Sequence, residues 1–472
     1  MLSRCGFARF SLLVCGLASG VGLLAPATAH AANPILPSWE YIPDTEPRVF
    51  NNRLYLYGSH DRAGSTKFCD YILKVWSAPL DDLNDWRDEG IALSTRDIGG
   101  HKDDIPWSDN EFYAPDIAVK DGKYYLYAQI VGSPCAVAVS DNPAGPFKVI
   151  SRIEVPEGAP RDFGGWSQYF DPGVLVDDDG KVYIYFGGGR SFMVQADPKT
   201  MVDVYWKTLK KDVIPRGPPF NFQEASSPKK INGTYYLVFA AGSKLCYATS
   251  KSPEGPFSFG GTIIQTGRDY PAGNIHGSLV NANGQWYITY HRMTNSTVFS
   301  RQVCVEKVNI EPDGSIKEVE QTSLGFQNAL DPFKTTPAEY DCVLKGGNYI
   351  TEFDSFTQAV VQNRDGAVIG YKYFDFGRGV VEQNMEVTFQ LRSGQGTGQG
   401  AGQLEIWIDG DTAETGKKIG TLDIPAGGND WRALSTQVSN VTGRHAVFFK
   451  VVNSGKPESL FDLKAFRFVK AE

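Results

Sequence analysis

The chain has 472 residues, too many for one compact core; at roughly 150 residues per domain, two or three domains are expected. Its 42% apolar and 21% charged residues exclude a disordered, collagenous or coiled-coil chain. A net charge of −8 without any Lys/Arg run argues against nucleic acid and membrane as partners. With 50 Gly, 27 Pro and 12% aromatic residues, the chain reads as many short strands joined by turns.

The first segment reads as a signal peptide over residues 1–31. Arg4 and Arg9 supply the positive end, Phe10 to Leu24 is largely apolar, and Ala29-His30-Ala31 offers a small-x-small cleavage site. The protein is therefore expected to be secreted, to the extracellular space or the periplasm, as a monomer. No later stretch has 18 uncharged apolar residues, so no spanning helix is expected. Beyond the leader, Cys69, Cys135, Cys246, Cys304 and Cys342 are widely spaced and allow at most two disulfides.

A hairpin signature then recurs five times: Asn51-Asn52-Arg53-Leu54-Tyr55, Asp121-Gly122-Lys123-Tyr124-Tyr125, Asp179-Gly180-Lys181-Val182-Tyr183, Asn232-Gly233-Thr234-Tyr235-Tyr236 and Asn283-Gly284-Gln285-Trp286-Tyr287. Asn-Gly and Asp-Gly favour tight turns of positive φ between antiparallel strands. After a first gap of 70 residues the turns recur at 58, 53 and 51, the length of a four-stranded propeller blade. The fold class predicted is all-β: a five-bladed β-propeller over 32–332, followed by a β-sandwich over 336–472.

The first strand of a propeller blade lies innermost. Reading back five to eight residues from each turn gives Asp44, Asp116, Asp171, Glu224 and His276, predicted to converge on one mouth of the channel. Crowded carboxylates repel, which raises some pKa values and yields a protonated and an ionised carboxyl side by side. Aromatics crowd the same positions: Trp39, Tyr41, Phe112, Tyr113, Tyr169, Phe170, Phe220, Phe222 and Tyr270. Flat apolar faces beside acids suit a sugar ring, although each aromatic alone reads equally well as packing. His276 could hold a water or, through water, a metal ion; a structural role fits it equally. The chain lacks a Gly-x-Ser-x-Gly elbow and a His-Glu-x-x-His pair, and Gly187-Gly188-Gly189 opens no helix.

At these residues the chain resembles glycoside hydrolase family 43. Asn33-Pro34-Ile35-Leu36-Pro37 with Ile42-Pro43-Asp44-Thr45-Glu46-Pro47 looks like the opening motif, which implies Asp44, rather than Glu46, as general base. Gln223-Glu224-Ala225-Ser226-Ser227 implies Glu224 as general acid, and Tyr113-Ala114-Pro115-Asp116-Ile117 implies Asp116 as the group that tunes and orients it. Phe170-Asp171-Pro172 is similar to the family's third-blade Asp-Pro, which implies Asp171 as a substrate-binding floor residue rather than a catalyst, and His276-Gly277-Ser278 and Tyr290-His291-Arg292 imply His276 and Arg292 as substrate-binding residues; Trp39 and Phe170 of the aromatic set are the expected stacking faces.

The tail carries alternating runs such as Met385-Glu386-Val387-Thr388-Phe389-Gln390-Leu391, and a Gly-rich loop over Ser393–Gly400. Its length suits about eight to ten strands. Val368 to Gly377, Asn429-Asp430-Trp431 and Leu460-Phe461-Asp462-Leu463 look like carbohydrate-binding module family 6. That resemblance implies a sugar-binding sandwich, structural calcium, and Trp431 and Tyr371 as stacking residues; a bracing domain is the alternative.

The two resemblances together imply a secreted glycosidase that needs no organic cofactor and acts on plant cell-wall polysaccharide or oligosaccharide. It would release α-L-arabinofuranosyl or β-D-xylosyl units with inversion, because base and acid start blades one and four, roughly 6.5–9.5 Å apart. An exo-acting galactanase of the same fold and a non-catalytic carbohydrate-binding propeller are the alternatives. Deleting 336–472 is expected to spare hydrolysis of small substrates if the tail only binds sugar.

Overall fold

The computed structural model describes residues 32–154, 157–158, 169–354, 356–378, 385–393, 401–453 and 458–470. The leader expected over 1–31, part of the loop at 152–170 and nearly all of the Gly-rich loop fall outside these residues. No helix among them is long and apolar enough to cross a membrane.

Five antiparallel sheets follow one another along the first part of the chain. The first is β1 (Glu46–Phe50), β2 (Arg53–Gly58), β3 (Ile72–Pro79) and β4 (Arg87–Ser94). The second is β5 (Phe112–Lys120), β6 (Lys123–Ile130), β7 (Ser133–Ser140) and β8 (Lys148–Ile153). The third is β9 (Gly173–Val176), β10 (Val182–Phe186), β11 (Phe192–Ala196) and β12 (Val204–Lys211). The fourth is β13 (Glu224–Ile231), β14 (Thr234–Ala241), β15 (Lys244–Ser250) and β16 (Ser258–Gln265). The fifth has three strands, β17 (Leu279–Ala282), β18 (Gln285–Thr294) and β19 (Thr297–Val308).

The turns behave as their residues dictate. Asn51, Asn52, Asp121, Asn232 and Asn283 all have φ between 49° and 60°, and Gly122, Gly233 and Gly284 follow with φ of 76°, 73° and 81°. Only short polar side chains and glycine adopt that region cheaply, so the turn residues fix the hairpin register.

Each gap between successive sheets holds its own apolar core. Tyr57 and Val75 meet Ile117 and Leu126, and Tyr127 and Val137 meet Val174 and Ile184. Tyr185 meets Leu237, Leu245 meets Ile288, and Val303 of the last sheet meets Leu54 and Trp76 of the first, which closes a ring. The N-terminal segment seals it: Ile35 N donates to Val303 O (3.2 Å), and the Asn33 side chain bonds Val305 in both directions. This is a propeller, as the repeats predicted.

The tail is a sandwich of two sheets. One runs β22 (Tyr349–Asp354), β23 (Thr357–Val361), β30 (Phe461–Lys470), β25 (Met385–Ser393) and β28 (Arg432–Val438), with the two-residue β20 (Thr336–Pro337) also on β30. The other runs β21 (Val343–Lys345), β24 (Val368–Asp375), β29 (Arg444–Val452), β26 (Gly402–Ile408) and β27 (Lys417–Ile424). These are eleven strands, one more than the upper expectation. Alternate residues of β25 (Met385, Val387, Phe389, Leu391) face the core that the two sheets share. The sandwich packs tightly on the propeller, and Ala32 and Tyr270 belong to its apolar core. The five cysteines among the described residues, Cys69, Cys135, Cys246, Cys304 and Cys342, are buried and unbridged.

Candidate active site

A cavity of about 480 Å³ opens on the channel, lined by Asp44, Asp171, Glu224, His276 and Arg301, with Phe68, Tyr113 and Phe170 on its walls. A wider, open groove of about 700 Å³ lies between Leu80–Asn84 and Phe326–Asp331 and holds none of the channel acids.

Each acid sits before or at the start of an innermost strand. Asp44 and Asp171 have φ of 54° and 47°, and Ala225 just after Glu224 has φ of 66°, where a register shift interrupts β13. Left-handed backbone costs Ala225 about 1–2 kcal/mol, while Asp44 and Asp171 adopt it more cheaply, and the bends turn the carboxyls inward. Gly173 lets the third and fourth sheets approach here, since a Cβ would lie 2.0 Å from Ser226 O.

The three carboxyls have different surroundings. Burial alone would raise Asp44, but Arg301 Nη1 donates to its Oδ1 (2.8 Å) and Ser59 Oγ to its Oδ2 (2.8 Å), and its pKa falls to about 2. Arg301 is 2% exposed and is fixed by a second, bidentate pair with Asp61 at 2.8 and 2.9 Å. Glu224 has no such partner; burial and the Asp44 charge lift it to about 7. Asp171 is pushed well above the usual carboxylate range by burial and then by Glu224 and Asp44, although Ala225 N donates to its Oδ2 (3.1 Å). Near neutral pH the Asp171–Glu224 pair therefore holds a proton beside an ionised Asp44.

His276 Nδ1 is 3.8 Å from Asp44 and 3.6 Å from Asp171, and burial keeps the ring neutral. His291 Nε2 donates to Asn274 O (3.0 Å), so Nδ1 is free to accept from Asp44 N (3.5 Å). Among the described residues no three His, Cys, Asp or Glu side chains converge on a metal position. The carboxylates beside His276 accept from a guanidinium and a backbone N–H, so a metal ion here would be held through water rather than by direct carboxylate ligation.

Several expectations are corrected. Asp116 is fully buried one level down the channel, bonded to Arg48 and accepting from Ile117 N and Val174 N (both 2.6 Å). It is not among the charges that act on Glu224; the carboxyl beside the acid is Asp171. Asp116 precedes its turn by five residues, whereas the other four precede theirs by seven or eight, and that offset was the readable signal. Glu46 is likewise below, paired with Arg48 (2.6 Å) and Lys229 (3.0 Å).

Arg292 is 3% exposed, outside the cavity, and donates to Asp341 O (2.9 Å) at the seam with the sandwich. Side chains alternate along a strand: His291 faces the acids, so Arg292 faces away. Arg301 is the register partner of Met293, on the same face as His291, and is the arginine that sequence reading missed.

Phe170 and Tyr113 line the cavity, while Phe112, Tyr169, Phe222 and Tyr270 are packing residues. Trp39 is 36% exposed but lies outside the cavity, 5.7 Å from Trp76 and beside Lys74. Tyr371 cannot stack on a sugar: it is wholly buried between Phe449 and Phe466, its hydroxyl donating to Ala338 O (3.0 Å). Trp431 is partly exposed on the sandwich, edge-on to Phe353.

Comparison with known proteins agrees with this geometry. The family Glycosyl hydrolases family 43 matches residues 31–316, and Carbohydrate binding module (family 6) matches 345–470. A "Xylosidase/arabinosidase" of Thermoclostridium stercorarium is 35% identical over 90% of this chain and 96% of its own. An "Arabinoxylan arabinofuranohydrolase" of Bacillus subtilis is 28% identical over 89% of both chains. The crystal structure of a family 43 arabinoxylan arabinofuranohydrolase from Bacillus subtilis, in complex with cellotetraose, superposes with a TM-score of 0.54 at 25% identity, covering 94% of this chain and 98% of that one. The chain belongs to glycoside hydrolase family 43: it is a glycosidase whose propeller is followed by a family 6 carbohydrate-binding module.

Proposed function

We propose that the protein is exported and removes α-L-arabinofuranosyl or β-D-xylosyl units from plant cell-wall polysaccharide by single displacement. The observation that carries this reading is one cavity with an ionised carboxyl at about 2 and a protonated one at about 7. The names of the relatives that span nearly the whole chain supply the sugar.

The scissile sugar enters the cavity beside the Phe170 and Tyr113 rings, and Glu224 gives its proton to the glycosidic oxygen. Asp44 takes a proton from the water that attacks the anomeric carbon. Asp171 and Glu224 share a proton that burial and the ionised Asp44 keep on the pair, and Arg301 keeps Asp44 ionised. Asp44 and Glu224 come from the first and fourth sheets of the ring, which leaves space for that water and predicts inversion. Two carboxyl groups suffice for this hydrolysis without an organic cofactor.

The test is hydrolysis of aryl α-L-arabinofuranosides and β-D-xylosides, with proton NMR of the first-formed anomer before mutarotation. Inverted product is expected. Retained configuration would overturn Asp44 as base, and absence of turnover on both substrates would overturn the sugar assignment.

A further inference from the structure

The loop of residues 59–71, between β2 and β3, supplies most of what fixes Asp44. Ser59 donates to Asp44 directly, and Asp61 holds Arg301 through its bidentate pair. Cys69 Sγ accepts from Arg301 Nη2 (3.4 Å), Cys69 N donates to Asp61 Oδ1 (3.0 Å), and the Phe68 ring lies 5.0 Å from the Arg301 guanidinium. The middle of the loop, 63–67, is largely exposed, so its geometry depends on how its two ends are joined.

His60 joins them. Its Nδ1 meets Asp70 Oδ2 (3.3 Å) at the far end of the loop, and its Nε2 meets Glu40 Oε1 (3.1 Å) on the segment that leads to Asp44. A carboxylate only accepts, so both ring nitrogens carry protons and the ring is an imidazolium. The other oxygen of Glu40 accepts from Lys74 and from Trp76 Nε1 (3.0 Å), Lys74 also meets Asp88 (2.8 Å), and Arg62 Nε stands 3.6 Å from Asp70. Three carboxylates thus face three cations, and His60 is the cation that bridges the loop's end and the Glu40 segment. Burial opposes the charge on the ring, but Asp70 and Glu40 outweigh it and raise His60 from 6.5 to about 9. Phe112 N donates to Asp70 O (2.9 Å), which anchors this end of the loop to the second sheet.

We propose that His60 is a positioning residue for the catalytic base: it staples the 59–71 loop shut, and the closed loop aims Asp61 and Arg301 at Asp44. His60 is not among the residues that line the cavity, so it acts through that arginine and not on the sugar. The role rests on the reading of Asp44 as base. Because folding raises the ring's affinity for its proton, the staple is at full strength below pH 6.5 and is lost as pH rises through about 9.

An aryl α-L-arabinofuranoside or β-D-xyloside with an acidic phenol needs little proton donation, so ionisation of Glu224 no longer limits its hydrolysis. On such a substrate the wild-type kcat should fall near pH 9. His60→Gln should lower kcat by about tenfold with KM within about twofold, since the base is misaimed while the sugar still binds, and the fall near pH 9 should vanish. Asp70→Asn keeps the ring but removes one of its partners, so there the fall should move down by about one pH unit. A wild-type kcat in His60→Gln, or a fall that stays near pH 9 in either variant, overturns the proposal. If the wild type turns over neither glycoside, the reading of Asp44 as base fails, and carbon NMR of the Asp44 carboxyl tests the staple alone. Its titration, near 2 in the wild type, should rise in His60→Gln as Arg301 loosens, and an unmoved titration overturns the staple.

Discussion

The channel carries two layers of ionisable residues, and their carboxyls are paired with cations to different extents. In the lower layer Glu46 and Asp116 meet Arg48 and Lys229, two carboxyls against two cations, in contacts of 3.0 Å or less. In the upper layer Asp44 alone pairs with Arg301, which is also held by Asp61, and Asp171 and Glu224 stand beside it without a cation of their own. The lower layer matches two carboxyls with two cations and ties β1, β5 and β13 together, with Glu46 held at about 2 and Asp116 lifted by burial to about 6. The upper layer is short of positive charge, so one of its carboxyls holds a proton to high pH. Reactivity here comes from an incomplete set of ion pairs on a well-paired foundation.

The largest effect expected from disturbing the upper layer is on Glu224. Glu224→Gln should cost about 10³-fold in kcat/KM on oligosaccharides and much less on aryl glycosides with acidic phenols, which need little proton donation. The same change should stabilise the fold. Glu224 moves from 4.5 to about 7 on folding, so the unfolded chain ionises first and the native state loses stability as pH rises between those values. The variant escapes that loss, so its Tm should exceed the wild type's most clearly above pH 7. Equal loss of activity on both substrate classes would break the assignment.

The next pair separates the layers directly. Asp171→Asn removes the like charge beside Glu224, so the basic limb of the kcat/KM profile should move down by about one pH unit. Asp116→Asn leaves a buried cation uncompensated and should cost about 3 kcal/mol in urea unfolding, with the limb where it was. If Asp116→Asn moves the limb and Asp171→Asn does not, the two layers have been assigned the wrong way round.

What the sequence revealed follows from what repeats. Turn residues and strand spacing are local, so the sheets were readable from Asp121-Gly122 or Asn232-Gly233 alone. Asp44, Asp171, Glu224 and His276 were found because each lies seven or eight residues before a turn. Asp116 was misplaced because its shorter offset was grouped with the others. Arg301 was missed because its significance depends on β18–β19 register, which flips faces with a shift of one residue. Tyr371 was misread because a tyrosine in an alternating run does not declare which face meets the second sheet.

The sandwich supplies the smallest expected effect, and the structure changes how to measure it. Deleting 336–472 was expected to spare the propeller if the tail only binds sugar. That deletion would strip Ala32 and Tyr270 of their core and Arg292 of Asp341, so it perturbs folding and cannot isolate binding. A point substitution can. Trp431 is partly exposed, 5.7 Å from Phe353, with the Arg392 guanidinium 4.9 Å from its ring; Arg392 Nε donates in turn to Asp462 (2.9 Å). The ring is thus held in place by Phe353 and Arg392 while remaining partly exposed. Trp431→Ala should weaken adsorption to insoluble arabinoxylan by roughly three- to tenfold, the loss of one aromatic contact. Its distance in sequence and fold from both charge layers predicts an unchanged pH profile and unchanged kcat on aryl glycosides. Adsorption isotherms on the intact variant decide the matter: if they overlay those of the wild type while urea unfolding shows a loss of stability, Trp431 serves as packing for the Arg392–Phe353 stack and this face of the module binds no sugar.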